Sequence, residues 1–97
     1  MLIGQVVGSV VATHKDEKLA ALKLLVVRVH DPDNRPTEQY VVAVDAVQAG
    51  RGDMVLFATG SSARQTQLTQ GAPCDAVIMA VVDSWDLGGA YVYEKWS

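Results

Sequence analysis

Residues 45–64 read DAVQAGRGDMVLFATGSSAR. A glycine-punctuated turn (Ala49, Gly50, Arg51, Gly52, Asp53) leads into an apolar run at 54–59 and then into a small polar corner ending at Arg64. The apolar run has the length and composition of a short buried β-strand. The glycines around it suit close backbone approach, within the fold or between copies of it. The segment contains no nucleophile–base pair, metal-ligand spacing or phosphate loop. It points to an assembly surface rather than to chemistry.

The flanking sequence extends the same β pattern in both directions. Upstream, residues 38–44 (EQYVVAV) and 22–30 (LKLLVVRVH) read as two strands joined across Asp31-Pro32-Asp33-Asn34, a strong turn signal. In the earlier strand, Leu25, Val27 and Val29 share one face, and Leu24, Val26, Arg28 and His30 the other. Residues 2–13 are valine-rich and read as one long strand, in which Gly4 and Gly8 permit a bend or bulge. Residues 14–19 form a charged loop. Downstream, residues 60–67 lack a strand pattern, and Ser61 or Ser62 is placed to cap one helical turn. Residues 68–73 form a loop. Residues 75–83 (DAVIMAVVD) are the most apolar strand, expected to be central and buried on both faces. Residues 85–89 read as a turn and 90–96 as a last strand, with Tyr91, Tyr93 and Lys95 opposite Val92, Glu94 and Trp96. The expected fold is all-β, a single domain forming a small barrel or sandwich of five to six strands with one short helical turn.

Bulk composition favours an oligomer. A chain of 97 residues buries only about 60–65% of its unfolded surface. Yet 49% of its residues are apolar. The surplus fits surface buried between subunits. The formal net charge is −3, and the eight basic residues form no tract. That argues against a nucleic-acid or anionic-membrane partner. Cys74 is the single cysteine and forms no intrachain disulfide, which fits a reducing cytoplasm. The first residues show no secretory leader pattern. The longest apolar run, residues 76–82, is far short of the about 20 residues of a membrane helix.

Catalytic and ligand-binding patterns are scarce in the sequence. His14, His30 and Cys74 lie far apart, without metal spacing, so no metal or cofactor is expected. Nucleophile elbow, Walker loop and dinucleotide fingerprint are absent from the sequence. Asp45, Asp75 and Asp83 sit at strand ends, where turn capping is the ordinary role. Arg51-Gly52-Asp53 matches the integrin tripeptide, here read as an accident of a tight turn. Trp85, Tyr91, Tyr93 and Trp96 offer a base-stacking platform on an OB-like barrel. The acidic balance favours packing in a core or interface instead. Arg64 is either a solvated surface residue or a contact at a subunit interface, where arginine is enriched.

The sequence resembles the EutN/CcmL family of bacterial microcompartment vertex proteins, nearly end to end. The resemblance is carried by Leu2, Gln5, Val6, Gly8, Val10, Val11 and Thr13, then by residues 22–27 (LKLLVV). It continues through 42–45 (VAVD) with Val47, Ala49 and Gly50, through 60–64 (GSSAR), and through 75–83, where Ala80 stands at a position often held by glycine. The resemblance implies a closed OB-like barrel, a cyclic homopentamer capping the corners of a polyhedral shell, and hexameric and pseudo-hexameric shell proteins as neighbours. It implies a non-enzymatic protein of the cytoplasm. It places Asp45, Gly50, Arg64 and Asp83 at subunit interfaces, and Gly60, Ser61, Ser62 and Ala63 near the five-fold opening. The alternative, from a different class, is an OB-type nucleic-acid or ligand-binding module.

Overall fold

The computed structural model describes residues 1–13, 17, 22–60, 63 and 75–96. Among the described residues seven strands form: β1 (Leu2–Val10), β2 (Leu24–His30), β3 (Pro36–Asp45), β4 (Met54–Thr59), β5 (Ala76–Val81), β6 (Ser84–Leu87) and β7 (Ala90–Glu94). The first five close into a barrel in the order β1-β2-β3-β5-β4. Every pairing in it is antiparallel except β3 with β5, which run parallel and meet only at Val44↔Val77 and Asp45↔Ile78. This is an OB-like barrel, as expected. β6 and β7 form a separate two-stranded sheet.

Side-chain alternation sets the inside of the barrel. Leu25, Val27 and Val29 of β2 point inward and are buried, as their spacing predicts. They meet Val6 of β1, Ala43 of β3, Val55 and Phe57 of β4, and Ala76 and Ile78 of β5 in one core. Phe57 and Val27 are fully buried. A second cluster lies on the opposite faces of β3, β4 and β5. There Leu22, Val44, Ala58, Ala63 and Val77 pack together with Leu24 against them. Residue 63 thus covers the outer wall, and β5 is buried on both faces over Ala76, Val77 and Ile78. Beyond them the expectation fails. Met79 is exposed and Ala80 and Val81 are half-buried. Met79 also has no cross-strand partner, because the β4–β5 register shifts there.

Strand ends follow local chemistry. β1 stops at Val10, short of the predicted Thr13, where β2 begins at Leu24 opposite it. A bulge at Val7, between the Val6↔Val27 and Gly8↔Val26 pairs, bends β1, as its glycines permit. The β2–β3 connection is the predicted turn: Asn34 N donates to Asp31 O (2.9 Å) and Arg35 N to Asp31 Oδ1 (2.9 Å). Asn34 takes the left-handed conformation (φ 62°). Its Oδ1 meets His30 Nδ1 at 2.8 Å.

The C-terminal region departs from the sequence expectation. Residues 85–87, read as part of a turn, join Ser84 in strand β6. The turn is only Gly88-Gly89, both with positive φ (60° and 87°), the two-residue hairpin geometry that a glycine pair favours. β7 was expected, but it pairs with β6 and joins no barrel strand.

Candidate assembly surface

The turn after β3 is held from within. Asp45 Oδ1 accepts the backbone N–H groups of Val47 and Ala49, each at 3.1 Å. Its Oδ2 lies 3.8 Å from Lys23 Nζ, and the Asp45 side chain is 1% exposed. Lys23 Nζ also donates to Ala49 O (3.4 Å). The carboxylate therefore braces its own chain and faces no solvent. Gln48 adopts positive φ (60°) inside this turn.

The next turn is tied to the β1 bulge. Gly50 N donates to Asp53 Oδ2 (2.8 Å), and Asp53 N to Gly50 O (3.0 Å). Gly52 N donates to Val6 O (2.8 Å) and Val6 N to Asp53 O (2.9 Å). The Arg-Gly-Asp sequence is thus a tight turn whose Asp carboxylate serves that turn. Close by, Val82 N donates to Met54 O (2.8 Å) and Lys95 N to Asp83 O (2.8 Å). Asp83 lies exposed at the neck between barrel and hairpin.

Gly60 sits at the far end of β4. It has positive φ (65°), and its N–H donates to Asp75 O (2.8 Å). Gly60 and Ala63 both have 3₁₀ geometry, where one helical turn was expected. Ala63 is fully buried under the second cluster. Ser61, Ser62 and Arg64 lie outside the described residues, as do His14 and Cys74. The described candidates do not converge on one patch. Gly50 and Asp83 lie at the Met54 end of β4 and Gly60 at its Thr59 end, separated by about 17–20 Å of strand.

Among the described residues, large apolar side chains stay exposed on the β3 wall and on the hairpin, besides scattered ones such as Val11 and Met79. On the outer wall of β3, Tyr40 and Val42 are each 52% exposed. Arg28 lies over the Tyr40 ring at 5.4 Å from its centre. Sequence reasoning missed this wall, because β3 alternates Tyr40, Val42, Val44 against Val41 and Ala43, apolar on both faces. On the hairpin, Leu87, Tyr91 and Trp96 are exposed, Trp96 at 80%. Trp85 stacks on Tyr93 with ring centres 5.2 Å apart, and its indole N–H donates to Pro32 O (2.9 Å). The aromatic residues offered by the sequence as a base-stacking platform therefore belong to the hairpin, not to the barrel face. Among the described residues, no group of His, Cys, Asp or Glu is placed to hold a metal ion.

The family model described as "Ethanolamine utilisation protein EutN/carboxysome" matches residues 1–83. The chain belongs to the EutN/CcmL family. The carboxysome shell vertex protein CcmL of Gloeobacter violaceus is 37% identical over 98% of this chain and 95% of its own. Its solved structure superimposes with a TM-score of 0.96, covering all of both chains. The microcompartment shell vertex protein EutN of Escherichia coli is 38% identical over 98% of this chain and 100% of its own. The pentameric microcompartment shell protein GrpN of Rhodospirillum rubrum has a solved structure 39% identical to this chain, with a TM-score of 0.83 over 90% of this chain and 99% of its own. The family model ends at Asp83, so the hairpin lies beyond it.

Proposed function

We propose that this chain is a structural subunit of a bacterial microcompartment shell, five copies of which close into a ring that caps a corner of the polyhedron. It does its work in the cytoplasm, without catalysis and without a cofactor, beside hexameric and pseudo-hexameric shell proteins. The observation that carries this reading is the superposition of nearly the whole chain on a pentameric shell protein, joined to the large apolar side chains exposed among the described residues.

The mechanism is geometric. A flat hexagonal sheet curves into a closed polyhedron only where five-fold units replace six-fold ones. A ring of five requires a head-to-tail contact, in which one patch of each subunit meets a different patch of the next. Gly50 and Asp83 near one end of β4, and Gly60, Ser61, Ser62, Ala63 and Arg64 beyond the other, are the proposed contributors to contacts and opening. Asp45 contributes by fixing the shape of its turn, since its carboxylate is already engaged. Ala63 contributes by seating the 60–64 corner on the barrel wall.

Light scattering on the purified chain tests the reading. A mass of five chains is expected at micromolar concentration. A stable monomer there overturns the vertex assignment.

A further inference from the structure

The β6–β7 hairpin carries a register shift. Trp85 pairs with Tyr93 but Asp86 pairs with Tyr91, so Val92 is an extra residue on β7. Strict alternation would put Tyr91 on the face of Tyr93. Instead Tyr93 stacks on Trp85, while Tyr91 lines a cavity together with Glu94. Bulges re-aim side chains in this way, and are over-represented beside functional sites.

The cavity lies where the hairpin leaves the barrel. Its volume is about 230 Å³, and its lining residues are Asp83, Ser84, Tyr91, Glu94 and Trp96. Two aromatic rings and two carboxylates thus share one concavity, with no basic residue in its lining. Ring faces and carboxylates attract charge of the same sign. The combination repels a phosphate and favours a cation, which sets these rings apart from a platform for nucleic-acid bases. Trp96 shows the preference within the chain: Lys95 Nζ lies 5.0 Å from its ring centre. Lys95 itself does not line the cavity. Glu94 already has a partner of its own, and a carboxylate offers about four acceptor positions.

From this lining we infer that the cavity receives an arginine side chain from a protein other than this one. Three properties of arginine fit. Its planar guanidinium stacks on an aromatic face, as Tyr91 and Trp96 provide. Its N–H groups fork onto carboxylates, as Asp83 and Glu94 provide. Its apolar stem lies along rings while the charged head meets the carboxylates. Lysine is a point charge and uses only one of these features at a time. Each contact is weak at an exposed site, so a free cation would bind poorly. A side chain carried on a partner adds them to a wider interface. The cavity is complete in one chain, so the inference does not depend on the ring proposed above.

Nuclear magnetic resonance on isotope-labelled protein tests this. The signal read is the indole N–H of Trp96, assigned by its loss from Trp96→Phe. The probe is the peptide acetyl-Ala-Ala-Arg-Ala-Ala-amide, with the citrulline peptide as its uncharged match and methylguanidinium as a free cation. A saturable shift is expected with the arginine peptide at millimolar concentration, and none with the citrulline peptide. Tyr91→Leu and, separately, Asp83→Asn with Glu94→Gln should each weaken binding about five-fold, the size of one exposed contact of this kind. Far-UV circular dichroism should be retained in both. No shift with the arginine peptide, equal shifts from the two peptides, or wild-type affinity in both variants overturns the inference. Methylguanidinium binding as tightly as the peptide assigns the cavity to a free small cation, and overturns it too. So does an indole shift that follows protein concentration without any probe, which gives the cavity to a second copy. A chain that stays monomeric overturns the vertex reading and leaves this inference standing.

Discussion

A side chain at residue 4 has no place to go. A Cβ built on Gly4 would lie 2.6 Å from both Arg28 O and Val27 Cγ1, and 3.1 Å from the Phe57 ring. The first of these is backbone and yields only if β1 and β2 separate. Gly4→Ala should therefore cost about 2–3 kcal/mol, an overpacking penalty, measured as a lowered urea midpoint with an unchanged slope. Asp45 makes the opposite point, since there the loss is of a partner. Asp45→Ala leaves two N–H groups without their acceptor and should cost about 2 kcal/mol or more. Lys23→Ala removes an ammonium whose side chain is 61% exposed and should cost under about 1 kcal/mol. Urea titrations of the two variants separate a hydrogen-bonded turn from a surface ion pair. Equal losses would show that the charge, not the geometry, matters. Asp45's role is legible without coordinates: an aspartate at a strand end is ordinarily a turn cap. The steric limit at Gly4 is not, because it depends on residues 23 and more positions away.

At the scale of elements, strands β1 to β5 were readable because turn residues separate them and because β2 alternates cleanly. Leu25, Val27 and Val29 were placed together from spacing alone, and they are the buried face. What was not readable is as informative. Residues 84–87 hold one serine, one aspartate and two large apolar residues, too short and mixed to stand out. The Gly88-Gly89 pair was the available sign of a hairpin, and it was absorbed into a longer turn. The apolar run at 75–83 overstated burial, because nothing local reports that Met79 is extruded at a register shift. The hairpin's attachment is testable on its own. Trp85→Phe keeps the stack on Tyr93 but deletes the hydrogen bond to Pro32 O. A loss of about 0.5–1.5 kcal/mol is expected. It should appear as faster amide exchange in β7, with the melting of the barrel unchanged. A matching loss in the barrel would mean that hairpin and barrel unfold as one unit.

For the molecule as a whole, the described candidates Gly50 and Asp83 lie at the opposite end of β4 from Gly60 instead of in one patch. The family motifs single out residues at both ends, but nothing in their spacing along the chain says how far apart they lie in the fold. Arg64 carries the sharpest prediction at this scale. Arg64→Ala should weaken ring formation by about 1–2 kcal/mol, the order of an interface arginine, while leaving the melting of the dissociated chain in place. Sedimentation velocity over a dilution series reads the first quantity and calorimetry of the dilute chain the second. Equal effects on both would assign Arg64 to the fold. Barrel closure has a further consequence. The cylinder is fastened by long antiparallel borders everywhere except at one short parallel slit, Val44 with Val77 and Asp45 with Ile78. Cut at that slit, the wall unrolls into a ribbon ordered β3-β2-β1-β4-β5 in which every neighbour runs antiparallel. Fewest backbone hydrogen bonds close the wall at that slit, and side-chain packing of Val44 and Val77 with Ala63 and Leu22 holds it instead.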